Sequence, residues 1–341
     1  MQSTLILGAT GFLGAHLVAA AFQRAQLEAT MADPFGPPVM AVGRDIDGAP
    51  RYTNPRDGAQ WIACDLAPEG AVATLLDDLK PSHLILAAAM ARAGACEDDP
   101  AGAQRMNAEV PAEVAAWCAA AGARLVFIST DQIFGGQPAP KKGFAEGAQP
   151  DPLQVYGRTK LAGEQAVLEA DPNALVVRLP LLYGDSGGRG MGASDSLLMA
   201  LDKDDYEEDE FEDGEDAQEA EDELEVEYQK PTLFEDEFRT PLEVTNAAQA
   251  VVECLHIDQK GLLHLASKQR VDRHTLGLAI LEAMGLPKDQ CADLIQAGRQ
   301  ADLETGAPRA ADVSLDASRA SKILDTGLLG YRRGLESSMG V

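Results

Sequence analysis

Gln2-Ser3-Thr4-Leu5-Ile6-Leu7-Gly8-Ala9-Thr10-Gly11-Phe12-Leu13-Gly14, followed by the helical-looking run Ala15–Gln26, is the stretch that decides the fold. A short apolar strand, a glycine turn and a helix in that order make the setting a phosphate-binding turn requires. Gly8 permits the tight turn, Gly11 lets the backbone approach a pyrophosphate, and Gly14 allows helix and strand to pack closely. The helix N-terminus then offers free N–H groups to an anion. Without its flanks the turn would read as purely structural; with them, dinucleotide binding is favoured. The spacing is Gly-x-x-Gly-x-x-Gly and not G-x-G-x-x-G.

Outward from this turn, strands and helices alternate. Val39–Val42 reads as a second strand ending at Gly43-Arg44. A carboxylate at that strand end would favour NAD by bonding a ribose hydroxyl, whereas an arginine pairs with a 2′-phosphate. Arg44 therefore points to NADP, while Asp45 keeps NAD open and a solvated Arg44 is the bland alternative. Trp61–Cys64 is a third strand leading to Asp65, either an acceptor for adenine or a helix cap ahead of Pro68. Leu84–Ala89, apolar throughout, is a buried fourth strand whose Ala87-Ala88-Ala89 end is small enough for a cofactor to pass over. The spacing gives one helix over Ala101–Ala120, in which Asn107 is either a surface residue or an ordering one. Arg124–Ser129 is a fifth strand ending in Ser129-Thr130-Asp131, and Leu175–Leu179 a sixth. The expected fold is a doubly wound α/β parallel sheet, with ligands at the carboxyl ends of its strands.

The run Val155-Tyr156-Gly157-Arg158-Thr159-Lys160-Leu161-Ala162-Gly163-Glu164 carries the chemistry. On a helix, Tyr156 and Lys160 share a face. A phenol of pKa about 10 is a poor proton donor or acceptor at neutral pH, and a neighbouring ammonium is expected to lower it. Thr130, at a strand end, can hydrogen-bond a carbonyl oxygen. A surface tyrosine followed by a solvated lysine is the competing reading of the pair taken alone.

Composition narrows the options. The chain has 341 residues, 45% of them apolar, and a net charge of −27. Residues 202–227 hold 17 acidic side chains and one lysine, too polar to build a core, and are expected to be a disordered insertion. Such a charge argues against nucleic acid or an anionic membrane as partner. No apolar run approaches the ~20 residues of a membrane span, and the first residues lack signal-peptide character. Five scattered cysteines fit reduced thiols in a cytoplasmic protein, and neither they nor the five histidines show metal-site spacing, so no metal is expected.

Residues 1–180 read as the dinucleotide-binding domain and 181–341 as a smaller C-terminal substrate-binding portion, with some later segments returning to the first. In the second part, Val244–His256 and Thr275–Met284 read as helices and Leu262–Ala266 as a short strand. Arg239 in Phe238-Arg239-Thr240-Pro241 could meet an anionic substrate group or neutralise acidic chain nearby.

Taken together, GATGFLG (8–14), Asp65-Leu66, Ala87–Ala89, Glu97 and Pro100, Asn107, STDQIFGG (129–136), VYGRTKLAGE (155–164), VVRLPLLYG (176–184), FRTP (238–241), HLAS (264–267) and DVSLD (312–316) resemble the dTDP-4-dehydrorhamnose reductase family of extended short-chain dehydrogenases. That family also embraces the regulatory β subunit of methionine adenosyltransferase. The chain departs from the family pattern at Gln132, Ile133 and Gly135, and at Gly94-Ala95. The resemblance implies an NAD(P)H-dependent reductase of a keto group on a nucleotide sugar, with Thr130, Tyr156 and Lys160 as catalytic residues. It implies cofactor contacts from Gly8, Thr10, Gly11, Phe12, Leu13, Gly14, Arg44, Asp65, Leu66, Ala87, Ala88, Ala89 and Lys160. Substrate contacts are expected from Asp131 and Arg239. A nucleotide-sugar epimerase or dehydratase and a non-catalytic NADP-binding regulatory subunit are the rival readings, and a homodimer is one arrangement left open.

Overall fold

The computed structural model describes residues 2–29, 36–46, 58–187, 191–201, 230–302 and 309–339; the acidic segment 202–227 lies outside them. In the first half, β1 (Thr4–Leu7), α1 (Phe12–Glu28), β2 (Val39–Gly43), β3 (Gln60–Ala63), α2 (Ala71–Leu79) and β4 (His83–Leu86) follow one another. Next come α3 (Ala93–Asp98), α4 (Pro100–Gln104), a turn of π-helix (Arg105–Glu109), α5 (Val110–Ala121), β5 (Arg124–Thr130), α6 (Val155–Ala170) and β6 (Leu175–Leu179). The second half holds β7 (Leu182–Tyr183), α7 (Gly192–Leu201), β8 (Thr232–Phe234), β9 (Phe238–Arg239), β10 (Leu242–Glu243), α8 (Val244–Cys254) and β11 (Gly261–His264). It continues with β12 (Val271–Asp272), α9 (Arg273–Ala283), α10 (Lys288–Leu294), β13 (Gln296–Gly298), α11 (Ala320–Ile323) and α12 (Tyr331–Met339).

Seven strands form one parallel sheet in the order β11-β6-β5-β4-β1-β2-β3. Successive side chains of a strand face opposite sides, and here both sides are covered by helices. Ile6, Ala41, Ile85, Val126, Val177 and Leu263 pack with α1 and α8. Leu5, Leu7, Val42, Leu84, Leu125 and Val176 pack with α2, α5 and α6. This double burial explains why the strands read as unbroken apolar runs. Strand order reverses between β1 and β4, which opens a crevice at their carboxyl ends. A separate apolar cluster joins α7, α9, α10 and α12 around Leu197, Leu276, Ile280 and Leu335.

Three elements depart from the sequence expectation. β4 ends at Leu86, so Ala87–Ala89 leave the sheet as irregular chain. The expected helix over 101–120 is broken by the π turn. Its cause is Pro111, which has no N–H for the Asn107 carbonyl. Gly163 of α6 approaches that freed carbonyl so closely that a Cβ there would lie 2.1 Å from it. Finally, the strand expected over Leu262–Ala266 runs from Gly261 to His264 as β11, the seventh of the main sheet, paired with β6.

Beneath the sheet's carboxyl edge lies a buried polar network. Arg178 Nη2 and Nε donate to Glu164 Oε2 and Oε1 at 2.6 and 2.9 Å, and Ser129 Oγ donates to Glu164 Oε1 at 2.5 Å. Arg178 Nη1 stands 3.2 Å from His264 Nε2, whose Nδ1 is 3.0 Å from the Phe144 carbonyl. Burial, helped by the Arg178 charge, pushes the His264 imidazole down to about 3, so it is neutral in the fold. The network ties β5, α6, β6 and β11 together. Among the described residues no helix is long and apolar enough to cross a membrane, and all five cysteines are free.

Candidate active site

At the β1–α1 turn, Gly8 adopts φ +89°, and a Cβ there would strike the Ala88 nitrogen at 2.4 Å. Only glycine tolerates both conditions. A Cβ on Gly14 would lie 1.9 Å from the Gly8 carbonyl oxygen, so α1 can reach the turn only through glycine. A Cβ on Gly11, by contrast, would meet nothing nearer than that oxygen at 3.3 Å. Space therefore remains open in front of Gly11, the N-cap of α1, which has no side-chain cap and no acid in its first turn. The N–H groups of that turn lack an intrahelical acceptor. An open, uncapped, acid-free helix start beside Ala87–Ala89 fits a dinucleotide pyrophosphate.

Thr10 packs over Gly43, where a Cβ would come 2.5 Å from its methyl. Arg44 follows at the end of β2, exposed. Asp65 is exposed and its Oδ1 accepts from the Ala67 N–H at 3.0 Å. That bond closes a turn and does not cap the helix: α2 opens at Ala71 with Gly70 as its N-cap, so the helix-capping alternative is not met; Leu66 beside it is buried. Phe12 and Leu13 are half-buried, and the Phe12 ring fills the space that a Cβ on Gly192 would need.

Thr130 closes β5; its hydroxyl donates to Asp131 Oδ1 at 3.3 Å and accepts from the Gln132 N–H at 3.2 Å, and it lies beside the phenol of Tyr156 in the first turn of α6. Lys160 is one helical turn further on. Its ammonium donates to the Ile128 carbonyl at 2.6 Å and lies 4.1 Å from the centroid of the Phe127 ring. Burial pushes the Lys160 ammonium down to about 7, against the pull of Glu164. The expected lowering of the phenol does not occur in this state: burial raises Tyr156 well above its usual range, and the neighbouring Thr130 side chain only partly offsets it. The reason is where the ammonium is held, against a carbonyl and a ring face.

Placement of α6 depends on residues that the sequence left unassigned. Val155 N–H donates to Glu97 Oε1 at 2.8 Å, which satisfies one of the helix's open donors. Asn107, fully buried, receives the Met90 N–H at 2.9 Å and donates to Met90 O and Thr159 Oγ1, each at 3.0 Å. It therefore orders the site rather than facing solvent. A Cβ on Gly157 would lie 2.2 Å from Gln132 O, so the helix abuts the loop after Thr130. Gly157 and Gly163, six apart in the motif, were the available signal of these contacts.

Asp131 is 3% exposed, and its Oδ2 has no hydrogen-bond partner among the described residues. Burial pushes its carboxyl up to about 6, while the nearby Arg239 charge draws it down. Arg239 donates from Nη2 to Glu237 Oε1 at 3.0 Å, so its charge is already partnered within the chain, as the second sequence reading allowed. Residues 130, 131, 156, 160 and 239 thus come to one region.

Comparison with known proteins identifies relatives of the chain. The model of the RmlD substrate binding domain matches residues 1–199 and 213–340. The probable low-salt glycan biosynthesis reductase Agl14 of Haloferax volcanii is 30% identical over 279 residues, covering 81% of this chain and 83% of that protein. Methionine adenosyltransferase 2 subunit beta of Xenopus tropicalis is 28% identical over 299 residues, covering 84% and 78%. The crystal structure of dTDP-4-dehydrorhamnose reductase from Bacillus anthracis in complex with NADP shares the fold, with a TM-score of 0.71 at 19% identity over 99% of this chain and 98% of that one. The chain belongs to the dTDP-4-dehydrorhamnose reductase family, whose model is the RmlD substrate binding domain, within the extended short-chain dehydrogenases/reductases.

Proposed function

We propose that the chain is an NAD(P)H-dependent reductase of a keto group on a nucleotide-sugar substrate. The observation that carries this reading is the placing of the Thr130 side chain beside the Tyr156 phenol at the carboxyl end of β5, with Lys160 one turn along α6. The nicotinamide dinucleotide, when bound, supplies the hydride. Gly8, Gly11 and Gly14 would take its pyrophosphate at the start of α1, with Thr10, Phe12, Leu13, Asp65, Leu66 and Ala87–Ala89 around it. Arg44, an exposed guanidinium at the end of β2, supports NADP over NAD.

Thr130 holds the substrate oxygen by its hydroxyl, and Tyr156 gives that oxygen its phenolic proton as the alcohol forms. Burial keeps the phenol protonated until then. Lys160, near 7, is poised to be charged or neutral at working pH and orients the site from beneath. Asp131, next to Thr130 in sequence and within the field of Arg239, is assigned to the substrate side. Arg239 lies close by, and the α7–α9–α12 cluster supports assigning residues 181–341 to the substrate side. Free thiols throughout support a reducing, cytoplasmic setting, and assembly as a homodimer belongs to the same reading.

The test is NADPH oxidation followed at constant enzyme with a panel of dTDP- and UDP-linked 4-keto sugars. Stoichiometric loss of NADPH supports the reductase; product without loss identifies an epimerase or dehydratase. The similarity to methionine adenosyltransferase 2 subunit beta favours one further reading, a dinucleotide-binding regulatory subunit. It gains if no keto sugar is turned over and a methionine adenosyltransferase co-purifies in stoichiometric amount.

A further inference from the structure

The short ladder between β9 and β12 gathers charge beside the candidate site. Val271 pairs with Arg239 and Asp272 with Phe238 in antiparallel register, and the Arg273 N–H donates to the Glu237 carbonyl at 3.0 Å. Arg273, at the start of α9, is thereby set opposite Glu237 on the ladder that carries Arg239. Arg309 reaches the same carboxylate, its Nη1 3.4 Å from Glu237 Oε2. Three guanidiniums thus meet around one carboxylate, in a chain whose net charge is −27.

The three are not equally free. Arg239 is spent inside the fold: Nη2 donates to Glu237 Oε1 at 3.0 Å, and Nη1 to the carbonyls of Phe238 at 2.8 Å and Ala310 at 3.3 Å. Arg309 shares Glu237 and lies 5.5 Å from the centroid of the Phe234 ring. Arg273 has neither kind of support. Among the described residues its guanidinium makes no hydrogen bond and no ion pair. It is half-buried, and its nitrogens keep open surface. Burial lowers its pKa, Glu237 draws it back, and the Arg239 and Arg309 charges lower it further. The adjacent acids are taken, Asp236 by the Gln300 N–H and Asp272 by the Thr275 N–H. Glu237 therefore leaves two positive charges over, or one once Asp131 ionises above about 6. An anion answers that excess and a neutral sugar does not, and the planar fork of a guanidinium fits phosphate oxygens. The cluster also adjoins the reacting end, since the Arg239 charge acts on Asp131, the neighbour of Thr130.

We infer that Arg273, flanked by Arg309, takes the diphosphate of the nucleotide-sugar substrate, while Arg239 and Glu237 form the frame that holds the two in place. The inference rests on the proposed function and names a residue that sets its preference for a phosphorylated substrate. The test is calorimetric titration of the full chain with dTDP and with UDP, NADPH being saturating so that the cofactor's own diphosphate site is filled. At least one of the two should bind saturably, and the matching nucleoside, which lacks the diphosphate, about tenfold or more weakly. Arg273→Gln should weaken the nucleoside diphosphate about 10–100-fold and leave NADPH binding unchanged. Arg273→Lys should recover part of that loss, and Arg309→Gln, at a more exposed position, should cost several-fold. Lys260→Gln removes an equal charge just before β11 and should change nothing. For a keto sugar that is reduced, Arg273→Gln should raise KM by the same factor with kcat within about twofold. Failure of both nucleoside diphosphates to bind, equal binding of nucleoside and diphosphate, or indifference to both arginine changes overturns the inference. Binding through Arg273 with no keto sugar reduced sinks the reductase reading instead and leaves the site standing.

Discussion

Lys160 of α6 and Arg178 of β6 are both 2% exposed, yet they are buried on opposite terms. Arg178 has a carboxylate of its own, Glu164, in a two-pronged ion pair, and fixed neighbours on every side. Lys160 has a carbonyl and a ring face. A fully partnered guanidinium is inert and ties four elements together. An ammonium without a touching carboxylate is brought near neutrality, which is the condition of a group that works on protons. One helix thus carries a fastening on one turn and a reactive pair on the preceding one.

The widest separation between the two sides is expected from Tyr156→Phe, which should lower kcat about 10²–10⁴-fold while dinucleotide binding, read by NADPH fluorescence, and the urea midpoint barely change. An unaltered kcat would remove Tyr156 from the chemistry. On the Arg178 side the pattern inverts. Glu164→Ala strands a buried guanidinium and should cost about 3–5 kcal/mol in urea unfolding; a loss below about 1 kcal/mol would show that the pair is dispensable. Gly163→Ala drives a methyl into the Asn107 carbonyl and should cost about 1–3 kcal/mol, measured in the same way.

Titration sharpens the contrast further. Lys160 has a folded pKa of about 7 against an ordinary 10.5, so between those values the unfolded chain holds a proton that the native chain has released. Native stability must then rise with pH across that window, by at most about 1.4 kcal/mol per unit. Below pH 7 the burial penalty is fully present. Lys160→Met should lack this rise, seen as a wild-type minus variant difference that grows from pH 7 to 9. Asp131 gives the smallest effect and the opposite slope. Its folded pKa of about 6 lies above the ordinary 3.8, so the stability it lends below pH 3.8 is lost as pH climbs to 6, and Asp131→Asn should flatten that fall.

Much of the sheet could be read from sequence because parallel strands buried on both faces are apolar throughout, as Leu5–Leu7 and Val176–Val177 are. Thr130 at a strand end and Tyr156 and Lys160 one turn apart on a helix were legible too. What the spacing could not carry was direction: the ammonium's acceptor is a carbonyl 32 residues away. The Glu164–Arg178 pair was illegible for a related reason, since charged residues ordinarily read as surface and the two lie 14 apart on different elements. The helix break at Asn107 was within reach, because Pro111 removes one N–H, but the carbonyl's new neighbour, Gly163, was not.

The chain leaves the main sheet after β6 and returns 81 residues later, at Gly261, to set β11 alongside it. Until that return a nascent polypeptide presents five consecutive core residues, Leu175–Leu179, as an unprotected border with a guanidinium among them. Bare strand borders template aggregation, and pairings this distant in sequence form slowly. Production of residues 1–180 alone should therefore yield insoluble material, and during synthesis this half of the molecule should rely most on chaperones before the last strand arrives.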